Sequence, residues 1–223
     1  MSITKTTGLV LAAVSTYATA VNMTTITNAS EAVATLQAGH GVLVGDLLEM
    51  TSGWGRLNGR LVRAKTVATN DVTLEGVNTT STVNYPAGAG TGAGTGTVRR
   101  ANASTGLINM SQIKLISTSG GELAFEDVTA VDDVVARQIT TIRSPVQLQI
   151  TIFDDPTLAW YATLLAADEA GTPLGFRMGF PNGSKLLFNA YVCVARVPTI
   201  EATMSLKTNI SLAFSGDPIR YPT

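Results

Sequence analysis

Two stretches of alternating side chains constrain this chain more than any other feature. In Val146–Phe153 the apolar Val146, Leu148, Ile150 and Ile152 alternate with Gln147, Gln149 and Thr151. A period of two sends successive side chains to opposite faces of a strand, so one face is buried and the other wetted. From Ile200 to Phe214 the apolar Ile200, Ala202, Met204, Leu206, Ile210, Leu212 and Phe214 stand against Glu201, Thr203, Ser205, Lys207, Asn209 and Ser211. Strands usually run about 5–6 residues, so this alternation predicts one unusually long strand in a large sheet. Its polar face is small, β-favouring and mostly uncharged. That suits the inside of an aqueous channel or a tight subunit seam better than open solvent.

Composition points the same way. Only 14% of the 223 residues are charged, against roughly 25% in ordinary soluble domains, so Thr, Ser, Asn, Gly and Ala must cover much of the surface. Such a surface is tolerable where another subunit hides it. The 45% hydrophobic content is ample for a core. A net charge of −1, from Lys+Arg 15 against Asp+Glu 16, gives no field to hold nucleic acid tightly. One cysteine, Cys193, excludes an internal disulfide, and with one histidine, His40, there is no zinc-spaced cluster. No stretch reaches the ~18–20 apolar residues of a membrane-spanning helix. Lys5, the run Gly8–Val14 and Ala18-Thr19-Ala20 imitate a secretory signal, but the apolar part is minimal and breaks at Ser15-Thr16-Tyr17.

Between Gly41 and Val77, short apolar runs are punctuated by Gly53-Trp54-Gly55, Asn58-Gly59 and Asn70-Asp71. These residues tolerate turns, so an antiparallel meander is expected. Tyr85–Thr97 (YPAGAGTGAGTGT) is a low-complexity loop. Further strands are expected at Gln112–Ile116, Val134–Ile142, Leu174–Phe180 and Lys185–Val197, the last two joined by a turn at Pro181-Asn182-Gly183. One helix is expected from Pro156 to Ala170, capped by Asp155 and stopped at Gly171. Its apolar face would hold Leu158, Tyr161, Ala162 and Leu165, with Leu164 and Trp160 widening the stripe and Trp160 placed to reach a partner. The division expected is an N-terminal extension over 1–40 and a single β-sandwich domain over 41–223, with a Gly/Thr-rich loop inserted at 85–101.

No catalytic constellation can be assembled. Gly88-Ala89-Gly90-Thr91-Gly92-Ala93 fits a dinucleotide fingerprint in letters only, because no helix follows to face a pyrophosphate. His40, between two glycines, reads as an exposed turn residue with no nucleophile to serve. Cys193 sits in a strand as a small hydrophobe. Asp154-Asp155 reads as a helix cap and Asp132-Asp133 as a solvated turn. No cofactor, metal or catalytic residue is expected.

The stretch from Phe153-Asp154-Asp155-Pro156 through Ala167, the hairpin FRMGFPNGSKLLFNAYV (Phe176–Val192), IEATMSLKTNISLAFSG (Ile200–Gly216) and Asp217-Pro218 resemble the major tail tube protein of long, non-contractile-tailed bacteriophages. Gly45–Thr80 is similar to the front half of that family. The resemblance implies a mainly β structure, an antiparallel sandwich or barrel flanked by one α-helix. It further implies hexameric rings with a continuous inner β-barrel, stacked into a tube around the tape measure protein. The tube would carry viral DNA into the host, with tail terminator and tail-tip proteins as further partners and no enzymatic activity. The protein would reside in the virion tail after assembly in the host cytoplasm.

On that resemblance Gln147, Gln149, Thr151, Thr203, Ser205 and Asn209 face the lumen, where short neutral groups favour passage of DNA over binding. Gly88, Gly90, Gly92, Gly94, Arg99 and Arg100 form an inter-subunit loop, and this loop or the 1–40 segment is expected to join ring to ring. The alternatives are a tail terminator or injection-machine tube protein, and a secreted carbohydrate-binding β-sandwich. The last would need an exposed aromatic platform, for which only Trp54 and Trp160 are available.

Overall fold

The alternation of Gln147–Phe153 is realised as a strand with Leu148, Ile150 and Ile152 in the core and Gln147, Gln149 and Phe153 exposed. A computed structural model of the chain describes residues 7–87, 94–200, 202 and 204–222. It is mainly β, with sixteen strands and one helix among the described residues.

Six strands close into a barrel: β2 (Val21–Ile26), β3 (Val33–Leu36), β4 (Leu47–Ser52), β5 (Leu61–Ala68), β6 (Asp71–Leu74) and β7 (Gly96–Ala101), in the order β2-β3-β6-β5-β4-β7. The eight-stranded sheet contains β1 (Val10–Val14), β8 (Leu107–Met110), β9 (Ile113–Ser119), β12 (Gln147–Phe153), β13 (Leu174–Gly179), β14 (Lys185–Val194), β15 (Lys207–Phe214) and β16 (Ile219–Tyr221). Its path is β8-β1-β13-β14-β15-β12-β9, with β16 added to β14. All its pairings are antiparallel. A separate hairpin pairs β10 (Leu123–Asp127) with β11 (Gln138–Arg143). Helix α1 (Ala159–Ala170) packs on β14.

Residues 10–36, within the segment expected as an extension, supply three of these strands. β1 lies between β8 and β13, and its Leu11, Ala12, Ala13 and Val14 are fully buried. β2 and β3 are two staves of the barrel.

One apolar core runs through barrel and sheet, with Trp54, Phe176 and Phe188 among its largest buried side chains. Phe188 stacks between Phe176 and Phe214, at 5.3 and 4.5 Å between ring centroids. Polar ties cross the same junction. Glu49 on β4 accepts two hydrogen bonds from Arg99 on β7, at 2.6 and 3.0 Å, and a third from the Asn189 amide on β14 at 3.1 Å. The Tyr17 hydroxyl accepts the Gly175 amide at 3.0 Å, and burial, reinforced by the Glu49 charge, drives its ionisation far above the ordinary phenol range. The Tyr221 hydroxyl accepts the Arg63 amide and donates to the Glu75 carbonyl, so β16 is bolted to β5 and the turn after β6.

Several expectations are corrected. The long strand ending at Phe214 begins at Lys207, not Ile200. Among the described residues between Val194 and Lys207, Thr199 forms an isolated antiparallel bridge with Lys207. Ile200 is 75% exposed and Met204 56%, so alternation there accompanies no burial. α1 begins at Ala159, three residues after Pro156, with Leu158 at its N-cap and no side-chain cap. Asp155 instead accepts the backbone N–H and hydroxyl of Thr157 and the Gln112 amide, and those bonds hold its carboxyl below the usual range. The buried face of α1 is Trp160, Leu164 and Ala167, while Ala162 is exposed. Trp160 therefore anchors the core and donates to the Ser111 hydroxyl. The stop at Gly171 holds, in a left-handed conformation with φ 60°. His40 is buried, its Nδ1 accepting the Val42 amide and its Nε2 bonded to the Thr69 carbonyl.

Candidate functional site

The pairing registers bring three rungs of side chains onto one face of the sheet, because residues directly opposite in an antiparallel pair share a face. Ser119, Gln147, Ala213 and Tyr191 form the first rung. Ser117, Gln149, Ser211 and Cys193 form the second, and Leu115, Thr151 and Asn209 the third. No charged residue occurs in them; the next pair on the same face, Phe153 with Lys207, places one lysine at the far end of the strands. Thr151 donates to the Asn209 side-chain carbonyl at 2.9 Å across the third rung. The opposite face of the same strands, with Leu148, Ile150, Ile152, Ile210, Leu212, Val192 and Val194, is core.

Four residues expected at a lumen, Gln147, Gln149, Thr151 and Asn209, are thus gathered on a single polar face. Ser205 is exposed but lies before β15, outside the rungs. Thr203 lies outside the described residues. Ser117, Ser119 and Tyr191 were not singled out from sequence, Cys193 was read there as a small hydrophobe, and Ser211 was placed on a polar face but not at a lumen; strand register brings all five beside Gln147 and Gln149. The exposed Cys193 thiol is one of them.

Among the described residues, each outer strand of this four-strand face, β14-β15-β12-β9, lacks a further strand neighbour along part or all of its outer side. β9 ends the sheet. β14 pairs with β13 only from Lys185 to Ala190, whereas its pairing with β15 runs from Ala190 to Val194. Beyond Ala190 the β13 side of β14 therefore has no strand partner among the described residues. The Val194 amide on β14 meets the Asp168 carboxylate of α1 at 3.5 Å. Such edges invite a further strand.

Of the expected inter-subunit loop, Gly88, Gly90 and Gly92 lie outside the described residues. Gly94 has φ 79°, and a Cβ there would stand 2.5 Å from the Trp54 ring. Trp54 is buried, packs edge-on against Tyr85 and donates to the Pro86 carbonyl. The base of the loop is therefore sewn to the barrel. Arg99 pairs with Glu49 and covers the Tyr17 ring, and Arg100 pairs with the buried Asp46. Both tryptophans are only 2% exposed, so neither supplies an aromatic platform for sugars.

The surface carries two apolar segments. In the hairpin region, residues 120–145, all but Gly121 and Asp133 are exposed, including Phe125, Val131, Val134, Val135, Ile139 and Ile142. In the β14–β15 connection Val197, Ile200, Met204 and Leu206 are exposed. No group of three or more His, Cys, Asp or Glu among the described residues is placed to hold a metal ion.

A family model for phage tail tube proteins matches residues 52–223. The chain belongs to that family. No curated protein matches it. The tail tube protein is a structural component of the virion tail that self-assembles into a tube and associates with other tail components. No helix among the described residues is long and apolar enough to cross a membrane. For a tail tube protein, the features that need explaining are surfaces for copies of itself: the uncharged rungs, the two outer strands without a further strand neighbour among the described residues, and the two apolar segments.

Proposed function

We propose that six copies close into a ring whose inner wall is the β14-β15-β12-β9 face, and that rings stack into the tube that surrounds the tape measure protein and conducts DNA. The carrying observation is a polar face whose three rungs hold no charge, flanked by two outer strands that have no further strand neighbour among the described residues. Along β14, β15, β12 and β9 the strand direction alternates, so β9 of one copy meets β14 of the next antiparallel. Four strands per copy thus continue round a closed ring with every neighbour pair antiparallel, and closure removes the edges.

Gln147, Gln149, Thr151, Ser117, Ser211 and Asn209 then face the lumen. Such groups are wetted readily and offer phosphates no cationic anchor, which favours transit. Tail terminator and tail-tip proteins cap the two ends of the stack.

Negative-stain electron microscopy of the purified chain, dilute and after concentration, tests the reading. Rings or long hollow tubes are expected, and in them Cys193 should label with a small maleimide but not with one attached to a polymer too wide for the bore. Particles that stay monomeric at every concentration refute it.

A further inference from the structure

Resting on the ring reading above, we propose that Asp168, in the last turn of α1, guards the free edge of β14, so that β9 of a second copy docks there only by displacing its carboxylate. Two bonds to the β15 side fix the direction of each backbone group along β14: the Ala195 amide donates to the Asn209 carbonyl, and the Asn189 carbonyl accepts the Ser215 amide. Successive residues of an antiparallel strand turn their N–H and C=O to alternate sides. The odd residues therefore face β15, and Ala190, Val192 and Val194 face the other way. Ala190 is paired there with Leu174, the first residue of β13, and Val192 and Val194 lie beyond it. The same count applies to β9. The Val146 carbonyl accepts the Phe214 amide of β15, so the odd residues of β12 face β9 and bond to Ser117 and Ser119 opposite them. Ile116 and Thr118 are then turned outward. Each edge thus offers the backbone groups of two residues, a match for one short antiparallel pairing between copies.

On β14 one of those groups is already engaged. The Val194 amide donates to the Asp168 carboxylate at 3.5 Å, a long bond that the carbonyl of an incoming strand would replace with a shorter one. Asp168 is held there against the local electrostatics. The C-terminal end of a helix carries partial negative charge and favours cations, yet the last turn of α1 holds Asp168 and Glu169 and no basic residue. Glu169 meets Arg196, just past β14, in a pair whose side chains are both more than half exposed, a contact worth little. Asp168 has the Val194 amide. A bare strand edge recruits other chains indiscriminately, and charged side chains are one of the ways to blunt it. A carboxylate over this edge both occupies the amide and repels the carbonyls of a strand that approaches. Asp168 is only half-buried, so it can swing into water when the seam forms. The guard raises the concentration at which copies join without preventing the seam.

The test uses the full-length chain. A modest hydrogen bond corresponds to about fivefold in an equilibrium constant, so Asp168→Ala should lower by about that factor the concentration at which tubes appear by light scattering and electron microscopy. Its melting temperature should be no lower than that of the unsubstituted chain, because alanine suits the end of a helix better than aspartate. Glu169→Gln removes the same charge from the same turn but leaves the Val194 amide held, and should move the assembly concentration by less than about twofold. Hydrogen exchange on dilute protein should show the Val194 amide about fivefold faster in Asp168→Ala, and protected in assembled tubes of either chain. An unchanged or higher assembly concentration for Asp168→Ala, an equal shift from Glu169→Gln, or Val194 exchange that is the same with and without the carboxylate would each overturn the guard while leaving the rings in place. Absence of rings from the unsubstituted chain would instead remove the ring reading, and the guard with it.

Discussion

Replacing Glu49 separates the contribution of its charge from that of its hydrogen bonds at the junction of barrel and sheet. Glu49 is nearly buried, Arg99 keeps 40% of its side chain exposed, and Asn189 is 1% exposed with an amide oxygen that has no partner. In Glu49→Gln the new amide can keep its oxygen on Arg99 and turn its nitrogen toward Asn189. A flip of the Asn189 amide then presents its oxygen to that nitrogen and moves its NH2 to the position that had no partner, so the number of unpaired buried atoms is unchanged. The main loss is the charge assistance to a partly exposed guanidinium, about 1 kcal/mol. In Glu49→Leu the Asn189 amide is stranded, at about 1–3 kcal/mol, and the Arg99 bonds vanish, at about 1–2 kcal/mol more. For a domain of this size each kcal/mol moves the melting temperature by about 2–4 °C. Calorimetry on dilute monomer should show a drop of about 2–4 °C for Gln and at least twice that for Leu. Equal losses would mean that the charge itself holds the junction, and would refute the hydrogen-bond argument.

Two further outcomes follow from burial. Leu164→Ala on α1 removes a fully buried side chain and should cost about 2–5 kcal/mol, whereas Ala162→Glu, on the exposed side, should stay within about 0.5 kcal/mol by urea unfolding; comparable losses would contradict the orientation of the helix. Tyr221 is pushed up to about 12 by burial. Its contribution is complete below the unfolded value near 10 and is lost as pH rises from about 10 through about 12, by about 2–3 kcal/mol. Absorbance at 295 nm should show its phenol ionising together with unfolding, and a normal titration near pH 10 in folded protein would refute this.

The parts of the fold legible in sequence were those fixed by local rules. Gln147–Phe153 alternates over a full strand, and Gly171 ends a helix because a left-handed residue is needed there. Where alternation and burial part company, between Ile200 and Leu206, no local signal marks the difference, because an exposed connection and a strand tolerate the same letters. Val10–Val14 was missed because a short apolar run rich in alanine becomes a central strand only by pairing with Gly179–Phe176, some 165 positions away. The helix start was misplaced because Asp155 spends its oxygens on Thr157 and Gln112. The polar face was half legible. Gln147, Gln149, Thr151 and Asn209 declare themselves by period, but Ser117, Cys193 and Tyr191 join them only through register. The open edge of β14 comes from the staggered lengths of β13 and β15, which no single segment encodes.

The hairpin grows from β9 and β12, two neighbouring strands of the polar face, rather than from a surface loop. A pull on it therefore runs lengthwise along both strands, and from β12 into β15, across ladders whose hydrogen bonds lie perpendicular to the load. Bonds loaded in that direction resist together, instead of opening one after another from an end. The protein's most exposed element is thereby tied to strands that meet a lengthwise pull in shear, with tension shared along β9, β12 and β15.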